Sequence, residues 1–143
     1  MRRRSRKTKN SKGLRFRLYA GDRSDFRLVT ADVAKVDNAW RYPDSSYIDA
    51  DGSGSIAGRI ELFERWLSEH PGESILAPTV YLSDLRDRVH FHDGRHRFAV
   101  LRDHGYRAIE VGVLRSQVGR FRRHFAPNSV GSPIKRKPKR ASP

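Results

Sequence analysis

The side chains best suited to chemistry sit together in one run, FHDGRHRFAVLRDHG, residues 91–105. An aromatic residue gives way to Asp93, Gly94, Arg95, His96 and Arg97, and an apolar segment follows at once and stops at Gly105. If a strand ends at His92 and a helix begins near Gly94 or Arg95, the first backbone N–H groups have no partners within the helix. They also stand at the positive end of its dipole. An anion is welcome there, and Gly94 lets it approach the backbone closely. Arg95 and Arg97 fall in the first turn, where a cation is otherwise misplaced, so the pair points to something negative arriving from outside. His96 can donate a hydrogen bond to phosphate or relay a proton. Asp93 can cap the helix, or hold an arginine, a metal or a ligand hydroxyl. A plainer reading stays open, with a capping aspartate among solvated arginines.

Three other groupings carry chemistry. GSGSIAGRI (52–60) is a Gly/Ser loop opening a helix, with Arg59 in the first turn as a second wall for a phosphate site. It lacks the Gly-Lys-Ser/Thr of a P-loop, and a plain surface loop is the alternative. His90, His92 and His96 fall within seven residues, but their spacing is no standard metal signature, and no metal site is assigned. Asp93 with Asp103 can hold Mg²⁺ beside phosphates, which needs only one or two carboxylates; Asp103 can equally pair with Arg102 or Arg107. VGRFRRHF (118–125) interleaves Arg120, Arg122, Arg123 and His124 with Phe121 and Phe125. As a helix it packs the rings inward and turns a basic face toward a nucleic-acid backbone.

Charge is divided unevenly. The formal net charge is +14, yet residues 1–12 hold seven Lys/Arg, residues 128–143 hold five, and neither segment has an acid. The remaining 18 basic residues and all 16 acidic ones lie between, and Lys35 is the one lysine among them. The ends are too polar to fold, so they read as disordered basic tails that neutralise DNA phosphates without reading sequence, with a pair of solubilising arms as the alternative. No run of about 18 apolar residues exists, which excludes a helical membrane span. With no cysteine, disulfides and thiol chemistry are excluded, and a cytoplasmic location is expected.

The positioning elements follow from periodicity. LRFRLY (14–19) alternates as a strand, and FRLVTADVAKVD (26–37) reads as one or two strands with a break near Ala31-Asp32. Residues 38–55 read as a long irregular loop, packed by Trp40, Tyr42 and Tyr47. Residues 56–70 place Ile56, Ile60, Phe63 and Trp66/Leu67 on one helical face, capped by Ser53 or Ser55. SILAPTVYL (74–82) is a strand whose Pro78 favours an edge position or a bulge. A turn (84–87), a strand (88–92), a helix (94–104), a strand (107–114) and a helix (116–125) capped by Ser116 complete a mixed α/β order.

HFHDGRHRFAVLRDHGYRAIEVGVL, with the helix and strand before it, resembles the core of the ParB/sulfiredoxin superfamily over roughly residues 56–114. The resemblance implies a single ParB/sulfiredoxin-like α/β domain at 13–127, with a mixed sheet and short helices. It also implies that Gly94, Arg95, His96 and Arg97 contact nucleotide phosphates, those of ATP or CTP. If the protein is an enzyme, His96 and Asp93 are its candidate catalytic residues, His96 to polarise or shuttle a proton and Asp93 to orient an arginine or Mg²⁺, and Arg59 is the candidate second wall. Sulfiredoxin chemistry is excluded, because Arg95 stands where that reaction needs a cysteine. A full ParB partition protein is not expected at this length. AWRYPDSSYI, GSGSIAGRI and DGRHRFAVLRDHG are similar to small plasmid fertility-inhibition factors, which block conjugative DNA transfer and with which nucleotide hydrolysis and DNA cleavage are associated. That implies an NTPase or nuclease with DNA and a conjugation or partition protein as partners. The alternative is a non-catalytic DNA-binding or protein-interaction module that keeps the pocket as architecture.

Overall fold

At Asp32 the chain passes from strand to helix with no linker. The Asp32 carboxylate accepts a hydrogen bond from the Lys35 amide at 3.0 Å, an N-cap that ends β2 (Phe26–Asp32) and starts α1 (Val33–Arg41) in the same step. The expected second strand and the first residues of the expected loop are therefore helix. Val33, Val36 and Trp40, all buried, fall at helical spacing, and their core contact outweighs the strand preference of valine. The computed structural model describes residues 13–41, 46–83 and 87–128. Tyr42, the 84–86 part of the expected turn, and the basic segments 1–12 and 129–143 lie outside them.

The remaining elements are β1 (Phe16–Arg17), α2 (Arg59–Glu69), β3 (Ile75–Leu76), β4 (Thr79–Leu82), β5 (Val89–Asp93), α3 (Arg95–Asp103), β6 (Ala108–Leu114) and α4 (Val118–Phe125). Short 3-10 turns lie at Ala20–Asp22 and Arg115–Gln117. The main sheet runs β2-β6-β4-β5 and is mixed: β6 is antiparallel to β2 and parallel to β4, and β4 is antiparallel to β5. β1 and β3 form a separate parallel pair.

Pro78 splits the expected 74–82 strand into β3 and β4. β4 lies inside the sheet, not at its edge, and the register with β5 shifts between Thr79 and Val80. The bulge reading holds because Pro78 stands just outside β4, where its missing N–H removes no ladder bond; its carbonyl accepts from Gly112 N at 2.8 Å.

One apolar core joins the sheet to three helices. Val29, Ala31, Val80, Leu82, Val89, Ile109, Val111 and Val113 meet Val36 and Trp40 of α1, Phe98 and Leu101 of α3, and Phe121 and Phe125 of α4. Ser116 does not cap α4; Gln117 precedes it, and its side chain instead bonds Leu82 N at 2.7 Å and Leu82 O at 3.1 Å. Asn128 accepts a hydrogen bond from Lys35 Nζ at 3.0 Å, so the first residue of the expected C-terminal tail is tied to α1.

The 46–55 loop is packed, as its aromatics suggest. Tyr47 meets Trp40 edge-on at 4.7 Å and Ile48 is fully buried. Arg102 Nη1 reaches Asp37 Oδ1 at 2.9 Å and Ile48 O at 2.7 Å, while Arg102 Nε bonds Asp103 at 2.7 Å. Burial by itself would lower the Arg102 pKa; hydrogen bonds to Asp103 and Asp37 more than offset it, and the guanidinium is held firmly charged. Tyr47 donates to Asp37 at 3.0 Å, and burial together with that carboxylate raises its pKa. Among the described residues no helix is long and apolar enough to cross a membrane.

Candidate functional site

The turn from β5 into α3 is built on Gly94. Its φ is +85°, in the left-handed region, and a Cβ there would stand 2.8 Å from Pro78 Cα and 2.6 Å from Arg97 Nη2. Both the dihedral and the space require glycine. Gly94 is also the N-cap, with no side chain capping the helix, so Asp93 is not the cap. Asp93 is the last residue of β5, and its Oδ2 lies 3.7 Å from Arg97 Nη2. Of the roles open to it, it holds an arginine.

The three residues after Gly94 do three different things. Arg95 Nη1 donates to Ser46 O at 2.8 Å and Gly54 O at 3.0 Å, so its guanidinium fastens the 46–54 loop to the turn. His96 is buried, and its Nε2 accepts the Ile56 amide at 3.0 Å. Burial lowers its pKa, and Arg95, Arg59 and Arg97 lower it further. The ring is therefore neutral, with its proton on Nδ1. Nε2 is committed to a backbone amide in this arrangement. Arg97 Nε donates to Leu76 O at 2.8 Å. Its Nη2 is buried without a hydrogen-bond partner, since 3.7 Å to Asp93 is an ion-pair distance rather than a hydrogen bond. Burial lowers the Arg97 pKa and Asp93 opposes the shift.

These residues line a cleft of about 510 Å³, together with Ser46, Arg59, His92 and an apolar wall from Ile56, Leu62, Phe63, Trp66 and Phe91. Arg59 is the first residue of α2 and follows Gly58, a second left-handed N-cap (φ +86°) without a capping side chain. Ser53 and Ser55 therefore do not cap α2; Ser55 Oγ bonds Gly52 O at 2.6 Å instead. Two Gly-Arg helix starts thus open on the same cleft. The apolar wall is what sequence periodicity did not reveal. Of the predicted face, Ile60, Phe63, Trp66 and Leu67 are partly buried and pack against the core, and Phe63 and Trp66 line the cleft as well, whereas Ile56, which precedes the helix, and Leu62 are 49% and 58% exposed. Leu62 falls off the predicted face, and its exposure has no sequence signal.

Other expected groupings are not brought together. Asp103 ends α3 and pairs with Arg102, while Asp93 precedes the start of that helix; nine helical residues span about 13 Å. The Asp93/Asp103 pair does not fit a shared Mg²⁺. His92 Nδ1 lies 3.1 Å from Thr79 Oγ1, His90 stacks on Tyr81 at 5.2 Å, and His96 faces Ile56. Among the described residues no three His, Asp or Glu side chains gather to hold a metal. In α4, Arg120 is tied to Asp87 at 2.9 Å and His124 to the same carboxylate at 3.0 Å. Arg122 and Arg123 are exposed. The α4 surface joins the Leu82–Ser83 end of β4, whereas the cleft adjoins the Thr79 end, so the two basic features are separate.

The chain was compared with family models, curated proteins and solved structures, and none matches it.

Proposed function

We propose that the chain is a ParB/sulfiredoxin-like domain whose cleft binds a nucleotide, phosphate at the Gly94–Arg97 turn and base against α2, while Arg122, Arg123 and the basic arms contact DNA. The observation that carries this reading is the convergence of the Gly94 turn, Arg59, Arg97 and the apolar face of α2 on one cleft of about 510 Å³. Ligand sites are commonly apolar clefts of this size with a few placed polar groups. The uncapped α3 amides, the buried Nη2 of Arg97 and the exposed Arg59 supply donors and positive charge for an anion. Arg95 supports the site by holding its loop.

Between the enzymatic and the binding readings, the geometry favours binding. His96 has its basic nitrogen occupied by Ile56, and Asp93 lies beside Arg97, so neither is arranged as a general base. An NTPase or nuclease role in plasmid fertility inhibition, with a conjugation or partition protein as partner, is the second reading and rests on the sequence resemblance. A cytoplasmic place of action suits either.

Calorimetric titration of the full chain with ATP and CTP, with and without Mg²⁺, tests the proposal. Saturable binding that weakens in Arg59→Ala is the expected result. Absence of binding to any nucleotide or nucleotide-bearing strand would remove the nucleotide reading.

A further inference from the structure

The cleft has a charge and a shape that narrow its ligand. Three guanidinium groups, those of Arg59, Arg95 and Arg97, line it against the single carboxylate of Asp93, a surplus of two positive charges among these four side chains. Two of the three are partly committed: Arg95 to Ser46 O and Gly54 O, and Arg97 to Leu76 O. A phosphomonoester brings about 1.5 to 2 negative charges at neutral pH, and a phosphodiester fewer. A terminal phosphomonoester matches the surplus, and a single phosphodiester stays within it. A triphosphate exceeds it and sets further charge against Asp93.

The apolar wall extends past what a small phosphate ligand would need. Along α2 the rings of Phe63 and Trp66 are parallel within 7°, and Trp66 and His70 within 14°, at centroid spacings of 6.0 and 4.7 Å. This ladder ends at Phe63, toward the end of the helix that carries Arg59. Leu62 and Ile56 continue the apolar surface there and are about half exposed. Aromatic and apolar faces interleaved with arginine are the means by which proteins hold unpaired bases, and base stacking tolerates any sequence.

We infer that the cleft takes a nucleotide of single-stranded nucleic acid, with one phosphate between Arg59 and Arg97 and its base laid against Leu62 and Phe63, in preference to a free nucleoside triphosphate. The inference rests on the reading of the cleft as a nucleotide site and names the form in which the nucleotide arrives. A base paired in a duplex cannot present its face to α2, so this site is distinct from the exposed arginines of α4.

The chain has an internal reporter. Of its two tryptophans, Trp66 lines the cleft and Trp40 is fully buried in the core. The full chain is titrated at one fixed salt concentration with a short 5′-phosphorylated oligothymidylate, a DNA hairpin duplex, ATP and CTP, following tryptophan emission. The oligothymidylate is expected to change Trp66 emission at lower concentration than either triphosphate, with no matching change from the hairpin. Leu62→Ala and Arg59→Ala, both at exposed positions that leave the core intact, are each expected to weaken this response roughly tenfold, the scale of one stacking or charged contact. Tighter binding of ATP or CTP than of the oligomer overturns the inference and leaves the nucleotide site standing. An oligomer response abolished in the Arg122→Ala/Arg123→Ala variant but unchanged by Leu62→Ala overturns it too, by placing the strand on α4. Silence with all four probes, confirmed by calorimetry, removes both this inference and the nucleotide reading beneath it.

Discussion

Nε2 of His96 stands 3.0 Å from the backbone nitrogen of Ile56, and this bond joins the first turn of α3 to the segment leading into α2. The acceptor must be an unprotonated nitrogen, so the link between the two walls of the cleft depends on a neutral imidazole. Burial, and then the charges of Arg95, Arg59 and Arg97, keep it neutral by lowering its pKa from the usual 6.5.

Stability should respond to acid accordingly. The unfolded chain binds a proton at His96 near pH 6.5, while the folded chain resists it to lower pH, so the unfolded state holds more protons in that interval. The His96 contribution is fully present above the unfolded value and is lost as pH falls from there through the lowered folded value. Urea unfolding of the full chain between pH 7.5 and 5 is expected to show this decline. A His96→Phe variant, which cannot titrate, is expected to lack that part of it; an identical pH profile in the variant would contradict the account.

Gly94→Ala is expected to cost about 2–4 kcal/mol, combining a left-handed residue bearing a Cβ with overpacking against Pro78. Because the new Cβ also meets Arg97 Nη2, nucleotide binding should fall even where the variant is still folded. Thermal denaturation with calorimetric titration checks both effects.

Arg102→Ala is expected to cost about 3 kcal/mol, since it leaves Asp37, Asp103 and the Ile48 carbonyl without their shared cation. The loss is structural, and it loosens the 46–54 loop that Arg95 also holds. Chemical denaturation measures the first, and proteolytic susceptibility of the loop the second.

Within α4 the arginines should separate by role. Arg122→Ala and Arg123→Ala are each expected to flatten the plot of log affinity for duplex DNA against log salt, by about 0.9 for each phosphate the arginine neutralises, without altering stability. Arg120→Ala, which takes one partner from Asp87 and one from the Ser83 carbonyl, is expected to lower stability more than it changes the salt slope. Equal slopes for all three variants and the wild type would show that α4 does not face DNA.

The local pattern of residues by itself determined a good part of this molecule. The sheet strands around β5 and β6, the short helix between Gly94 and Gly105, and the amphipathic α4 could all be read from periodicity and glycine placement, because each depends on neighbours along the chain. So could the gathering of Arg95, His96 and Arg97 at a helix start. Tertiary structure decided the rest. Helix α1 won over a strand because Val33, Val36 and Trp40 find a core on one side, and valine favours either state until that core exists. The apolar face of α2 packs against the core through Ile60, Phe63, Trp66 and Leu67, as its spacing indicates, yet Phe63 and Trp66 also wall a cleft, since spacing says which residues share a face but not everything that face meets. Arg95, His96 and Arg97 were indistinguishable as potential phosphate ligands; only the positions of Ser46, Ile56 and Leu76, distant in sequence, made them a strut, a neutral acceptor and a partly satisfied cation.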